Sequence, residues 1–131
     1  MRLLLALVLI TLLSTPATAQ DSRLRQLLLS SAWCSFSHNE TTGASRAERA
    51  LFASNGTMTL FTGAQHNTSG PYGTSAGQRE GSRVYSWKVE GGDLLLSEDR
   101  RHWNALDLAV RRDSRGNFVI VADGKEYTSC R

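Results

Sequence analysis

Glycine-containing turn pairs divide most of this 131-residue chain into short, largely apolar runs. Asn55-Gly56, Gly91-Gly92 and the Asp-Gly pair at 123–124 each stand between two such runs. These pairs accept positive φ angles at low cost and are typical of the two-residue turns that join antiparallel strands. From about residue 31 to residue 130, the chain is therefore constrained to a succession of β-hairpins.

Eight strands are predicted from the runs between the turns, and consecutive hairpins arrange them as an antiparallel meander. A closed up-and-down barrel removes the two unpaired edges that such a meander would otherwise leave. The predicted fold class is therefore all-β, an antiparallel eight-stranded barrel. The strands are placed at about 31–38, 45–53, 57–62, 83–90, 93–98, 102–111, 117–122 and 125–130.

The predicted core comes from the apolar face of two alternating runs. Successive side chains of a strand point to opposite faces, so residues two apart share a face. Trp87 and Val89 share one face of the run 83–90, and we expect both to be buried. In the run 102–111, the residues expected to be buried are Leu106, Leu108 and Val110.

A short helix is predicted before the first strand. Leu24, Leu27 and Leu28 fall on one helical face, and Asp21 or Ser22 is placed to cap the helix. A helix of about ten residues is marginal by itself in water. We therefore expect its leucines to pack on the barrel.

The N-terminal segment has the layout of a secretory signal peptide. Arg2 precedes an apolar run over residues 3–13, and small residues at 17–19 provide a cleavage site. The run is shorter than the roughly 20 apolar residues that span a bilayer, so no membrane span is predicted. We expect residues 1–19 to be removed and residues 20–131 to form a single secreted or periplasmic domain.

The two cysteines are predicted to form a disulfide. Cys34 lies on the first predicted strand and Cys130 on the last, and an even cysteine count in an exported domain favours pairing. A catalytic Cys34 would need a free thiol and a base, for which His38 is the candidate. A zinc site is disfavoured because the cysteines lack CxxC spacing.

No catalytic residue, metal or cofactor is predicted. The sequence GTSAG at 73–77 matches the nucleophile motif G-x-S-x-G, but Ser75 lacks the apolar strand before it and the helix after it that the motif requires. His38, His66 and His102 lack metal-binding spacing. The charges, 15 Lys and Arg against 12 Asp and Glu, are interspersed, which argues against a nucleic-acid partner.

Residues 63–82 break the alternating pattern and contain one large apolar residue, Tyr72. So long a segment without regular structure is uncommon in a compact domain. We expect a flexible loop. The alternatives are a lid over the barrel mouth, with Tyr72 as its contact, and a strand that the pattern does not reveal.

The short helix, the tryptophan at the start of the first strand and the eight-strand meander resemble the lipocalin-like (calycin) barrels. Lipocalins open the first strand with Gly-x-Trp, and an arginine after the last strand packs over that tryptophan. Trp33 and Arg131 match these two positions, whereas Ser31 stands in place of the glycine. The resemblance implies a small secreted lipocalin-like domain, and fold alone does not give function.

The predicted function is non-enzymatic binding of a small apolar or amphipathic ligand inside the barrel. An eight-stranded barrel has room for one small ligand or only for its own side chains. The alternative function is a protein-binding module, such as an inhibitor of a secreted enzyme, that acts through residues 63–82. The candidate ligand contacts are Tyr72, Tyr85, Trp87 and Trp103.

Overall fold

A computed structural model describes residues 16–70 and 73–130, with side chains described over 19–65 and 80–130. Within those residues the chain forms one helix and nine strands in a single antiparallel sheet. The predicted all-β up-and-down barrel with one short helix is confirmed. The elements are α1 Pro16–Leu29, β1 Ala32–Asn39, β2 Ala44–Phe52, β3 Thr57–Gly70, β4 Gly73–Glu90, β5 Asp93–Ser97, β6 Asn104–Leu106, β7 Leu108–Arg112, β8 Phe118–Ala122 and β9 Lys125–Cys130.

The barrel closes by pairing its first strand with its last. The order across the sheet is β6-β5-β4-β3-β2-β1-β9-β8-β7, and Ala32 of β1 lies opposite Cys130 of β9. The two ends of the sheet, β6 and β7, are consecutive in the chain and are separated only by Asp107. The barrel is therefore nearly closed, and its gap lies between β6 and β7.

The ninth strand arises because the predicted strand 102–111 bends at Asp107. Leu106 lies opposite Leu94 of β5, whereas Leu108 lies opposite a residue of β8. The amide of Asp107 donates to the Asp123 carboxylate at 3.3 Å, and its carbonyl accepts from the Asp123 amide at 3.0 Å. The residues before Asp107 thus pair with β5 and those after it pair with β8, so that one alternating run in the sequence forms two strands.

Residues 63–70 and 73–82 belong to the paired strands β3 and β4, and the prediction of a structureless loop is wrong. The pairing of β3 with β4 runs without a break from Thr57 opposite Ser86 to Gly70 opposite Gly73. The segment has polar and small residues at nearly every position, so it lacks the apolar alternation by which strands are identified. Tyr72 lies outside the described residues.

Helix α1 crosses one end of the barrel, which we call the helix end. The Trp33 indole N–H donates to the carbonyl of Leu28 at 3.2 Å, which joins the last turn of α1 to β1. The Arg25 guanidinium donates to the carbonyl of Ser54 in the β2–β3 turn at 3.2 Å and lies 4.7 Å from the centre of the Trp87 ring. The buried cluster beneath the helix comprises Leu28, Trp33, Ala50, Met58, Trp87, Leu94 and Ile120.

Neither Asp21 nor Ser22 caps the helix, because α1 begins at Pro16 and both residues lie inside it. The role of Asp21 is a different one. Its carboxylate instead accepts hydrogen bonds from the backbone amides of Gly91 and Gly92 at 3.0 and 2.6 Å. Both glycines have positive φ angles, 62° and 83°, which suits them to the tight β4–β5 turn. The N-terminal half of the helix is therefore bonded to a turn that is distant in sequence. Among the described residues, no helix is long and apolar enough to cross a membrane.

Most of the predicted core residues contribute to the core. Trp87 is 3% exposed, and Val89, Leu106 and Leu108 are partly buried against the same cluster. Val110 is the exception, with 42% of its surface exposed. It lies on β7, at one end of the sheet, where β8 is its only neighbouring strand within the described residues.

Cys34 and Cys130 form a disulfide across the β1–β9 pair, with their Cα atoms 5.7 Å apart. They are diagonal neighbours, because Cys34 lies opposite Thr128 and Cys130 opposite Ala32. A disulfide is consistent with an extracellular or periplasmic location, since these compartments are oxidising.

Reduction of this disulfide should lower the free energy of unfolding by a few kcal/mol. The chain-entropy model gives about 4.7 kcal/mol for a closed loop of about 100 residues. Urea unfolding with and without a reductant measures the difference. A variant with Cys34→Ser and Cys130→Ser is the control and should be insensitive to the reductant. Two free thiols in the unreduced, unfolded protein would contradict the pairing.

Truncation of one buried and one exposed apolar side chain should show that the core position contributes more to stability than the position at the free end of the sheet. Leu94 is 2% exposed, so Leu94→Ala should cost about 2–5 kcal/mol. Val110→Ala should cost less than about 1 kcal/mol, because its surroundings are open. Urea unfolding of both variants checks the difference, and equal costs would mean that the gap beside β7 is closed in solution.

Candidate functional site

The inner face of the barrel surrounds a cavity of about 220 Å³. Successive side chains of each strand point alternately into and out of the barrel. The walls of the cavity are mainly apolar, because most of the inward-facing positions carry apolar residues. Leu28 and Trp33 line its helix end. Other apolar walls come from Phe52, Met58, Leu60, Leu94, Leu96 and Ile120.

A cluster of three polar side chains interrupts the apolar wall, and we call Glu48, Lys125 and Tyr127 the polar cluster. The Glu48 carboxylate accepts a hydrogen bond from the Tyr127 hydroxyl at 2.5 Å and another from the Lys125 ammonium at 2.7 Å. Its side chain is 11% exposed, whereas that of Lys125 is 49% exposed. The cavity thus has an apolar interior and one charged, hydrogen-bonded side.

The polar cluster forms because a small residue separates its members. Glu48 lies on β2 and Tyr127 on β9, with β1 between them, so their backbones are two strand spacings apart, about 9–10 Å. Ser35 of β1 lies opposite Glu48 and shares the inward face of Trp33. Its short side chain leaves room for the two long side chains to meet over β1.

Opposing effects set the pKa of Glu48. Burial raises it, whereas the hydrogen bonds from Lys125 and Tyr127 and the charges of Lys125 and Arg46 lower it, and the net result lies below the ordinary 4.5. Burial, together with the hydrogen bond and charge of Glu48, raises the pKa of the Tyr127 hydroxyl. At neutral pH, Glu48 is therefore an ionised acceptor and Tyr127 a neutral donor.

Of the four aromatic residues predicted to contact a ligand, Tyr85 lies in a recess that adjoins the cavity. This second recess, of about 380 Å³, shares Leu60, Leu96 and Leu106 with the walls of the cavity. Tyr85 is partly buried there. The shared walls make this recess a continuation of the barrel interior.

The other three aromatic residues lie elsewhere. Trp87 is buried in the core cluster, where its indole N–H donates to the carbonyl of Ala53 at 3.0 Å and its ring packs edge-on against Phe52. Trp103 is partly exposed in the β5–β6 connection, with the Lys88 ammonium 4.4 Å from its ring centre. Tyr72 lies outside the described residues. Their role in ligand contact stays a prediction.

An ion pair between Asp99 and His102 stands at the second recess, with 2.6 Å between carboxylate and imidazole. The Asp99 carboxylate also accepts from the backbone amides of Arg101 and His102, and these bonds lower its pKa. The Asp99 side chain raises the pKa of His102. Because Asp99 holds the backbone of the β5–β6 connection, we interpret the pair as part of that turn.

The polar cluster contains no residue that the sequence analysis singled out. The alternation in the sequence of β2 places Glu48 on the same face as Ala50 and Phe52, and this pattern alone could have located it inside the barrel. Lys125 and Tyr127 carried no comparable signal, because their partner lies two strands away and only the barrel register brings them together.

Comparison with protein-family models, with curated proteins and with solved structures finds no match to this chain. The resemblance to lipocalin-like barrels is supported at the coarse level of a nearly closed antiparallel barrel, and membership of that family stays a prediction. The cavity and its polar cluster are therefore the features of the molecule that indicate a function.

Glu48→Gln should remove stability that the wild-type protein has at neutral pH. Since the folded-state pKa of Glu48 lies below its unfolded value, its ionisation stabilises the fold above about pH 4.5 and this contribution is lost as the pH falls through the folded-state pKa. The wild type should therefore be more stable than the variant at about pH 7, and this difference should shrink below about pH 4. Urea unfolding across this range measures it.

The matched control is Glu126→Gln, because Glu126 is an exposed glutamate on the same strand as Tyr127, paired with Arg111. Its effect on stability should be small at each pH. A Glu48→Gln effect that does not change with pH would show that Glu48 is not ionised in the folded protein.

Proposed function

We propose that this protein binds a small amphipathic molecule, whose apolar part fills the cavity and whose polar end meets Glu48, Lys125 and Tyr127. The observation that carries the proposal is the combination of an apolar cavity with a single hydrogen-bonded polar cluster on its wall. Apolar pockets with a few convergent polar groups are the usual form of small-molecule sites.

The volume of the cavity restricts the size of the ligand. A space of about 220 Å³ corresponds to roughly seven water molecules at about 30 Å³ each. It lies below the roughly 300–1,000 Å³ of sites for drug-sized ligands. This favours a short alkyl chain or one small ring, with any larger group extending into the recess beside Tyr85.

The charges in the wall favour a ligand head that donates hydrogen bonds. The Glu48 carboxylate has about four acceptor positions, and Tyr127 and Lys125 occupy two of them. Asp123 adds a second carboxylate to the same wall, so that two negative groups face one positive group. An alcohol or an amine fits this environment better than a carboxylate does.

Octanol, octylamine and octanoate test the proposal, because they share one apolar chain and differ in the head. Isothermal titration calorimetry should show binding of octanol and octylamine and weaker binding of octanoate. Ala50→Leu, which adds bulk to the cavity wall, should abolish binding of all three. Ala47→Leu is the matched control, since Ala47 is an exposed residue of the same strand, and it should bind as the wild type does.

Thermal unfolding checks that both leucine variants are folded. Retention of octanol binding by a folded Ala50→Leu variant would show that the cavity is not the site, and absence of binding in the wild type would overturn the proposal for these ligands.

A variant in which Asn-Gly replaces residues 63–80, so that Thr62 and Gly81 become the closing pair, should keep its octanol affinity.

Binding of a secreted enzyme through residues 63–82 remains the alternative proposal. In favour of it, β4 extends beyond its ladder with β5, which in the described residues covers only 86–90. A hairpin that extends beyond its neighbouring strand offers an edge to which a segment of another protein can add as a strand. The Asn-Gly variant distinguishes the two proposals, because it removes this edge and leaves the cavity intact.

A further inference from the structure

The edge of β7 that faces away from β8 has no partner strand in the described part of the chain, because β7 is one end of the sheet. Two backbone hydrogen bonds show which residues face this edge. The carbonyl of Asp107 accepts from Asp123 at 3.0 Å, and the amide of Asp113 donates to Asn117 at 2.9 Å. The backbone N–H and C=O groups of the odd-numbered residues between 107 and 113 therefore form hydrogen bonds with β8.

In an antiparallel ladder, bonded and non-bonded positions alternate along each strand. The even-numbered residues Leu108, Val110 and Arg112 therefore direct their N–H and C=O groups toward the free edge. Exposed edges are commonly protected by charged side chains. On β7, however, Arg111 pairs with Glu126, and the Arg112 guanidinium lies 4.3 Å from the centre of the Phe118 ring.

An apolar groove of about 830 Å³ runs beside this edge, between α1 and the sheet. Leu24 and Leu27 line it from the helix, and Val110 and Phe118 line it from the strands. Val110 is 42% exposed and Phe118 38% exposed. A row of unpaired backbone groups beside an apolar groove is the arrangement by which sheets bind extended peptides.

The charges around the groove are positive. Arg23 lines it and Arg112 covers Phe118 at its other wall, whereas no carboxylate lines it within the described residues. The nearest acidic side chain of the helix, Asp21, is held by the amides of Gly91 and Gly92. A partner with negative side chains is therefore favoured over a neutral or basic one.

We propose that β7 and the adjoining groove bind an extended acidic peptide, which adds to the sheet as a strand beside β7 and places alternate apolar side chains in the groove against Val110. The main-chain hydrogen bonds supply affinity, and the groove and Arg23 supply selectivity. The groove shares Leu108 with the wall of the cavity, but the polar cluster does not line it, and strand addition to β7 does not depend on ligand binding in the cavity.

A fluorescently labelled six-residue peptide that alternates valine and glutamate tests the proposal by anisotropy at low salt. It should bind the wild-type protein, whereas a peptide that alternates valine and lysine should not. The glutamate peptide can also be N-methylated at every second amide, along the edge that would pair with β7. This peptide should not bind, because it cannot form the strand hydrogen bonds.

Two variants of the protein test the same site. Arg23→Glu should weaken binding of the glutamate peptide about fivefold, which corresponds to roughly 1 kcal/mol. Val110→Pro removes an edge N–H that is not bonded to β8, a position at which an edge strand tolerates proline, and it should weaken binding as well. Arg115→Glu, in the β7–β8 turn and away from the groove, is the control and should keep affinity within about twofold.

Binding of the N-methylated peptide as tight as that of its parent would overturn strand addition, and equal binding of the lysine peptide would overturn the acidic preference. No binding of the glutamate peptide would overturn the proposal itself. Binding to phosphatidylglycerol vesicles without binding to the peptide would assign the groove to a lipid surface instead. If Val110→Pro does not fold, the N-methylated peptide decides between these outcomes.

Discussion

The pairing of β1 with β9 is the contact on which the rest of the barrel depends. It consists of three opposed residue pairs, from Ala32–Cys130 to Cys34–Thr128, and the disulfide adds a covalent bond across the same two strands. Without this closure, β2 and β9 would lie on separate parts of an open sheet, and Glu48 would have neither Lys125 nor Tyr127 as a partner. The cavity and its polar cluster are therefore consequences of the way in which the barrel closes.

Helix α1 completes the interior that this closure creates. A barrel of short strands exposes apolar side chains at its ends, and Leu28 covers those at the helix end, where it is 1% exposed. Polar contacts in both halves of the helix hold it in position: Asp21 accepts from the amides of the β4–β5 turn, and the carbonyl of Leu28 accepts from Trp33.

The sequence was sufficient to place the strands of the barrel wall, because turn chemistry is local. The Gly91-Gly92 turn could be identified from two residues, and the pairing of β4 with β5 follows from it. Two features depended on more than local pattern. The strand segments 63–70 and 73–82 have no apolar face by which they could be identified. The bend at Asp107 arises because β6 pairs with β5, whereas β7 pairs with β8. The polar cluster was missed for the same reason, since Glu48 meets Tyr127 only through a register that spans three strands.

The position of the disulfide also determines how the protein would respond to mechanical force. Cys34 and Cys130 are separated by 96 residues, and nearly the whole barrel wall lies between them. Tension applied to the two ends of the chain would pass from one cysteine directly to the other through the sulfur atoms and would bypass the strands between. An unfoldase that pulls on the C-terminus could extract the helix and the first residues of β1 from the oxidised protein, but it would have to translocate the remaining barrel as a covalent loop. After reduction, the same pull would act on the β1–β9 ladder and separate its three residue pairs in succession.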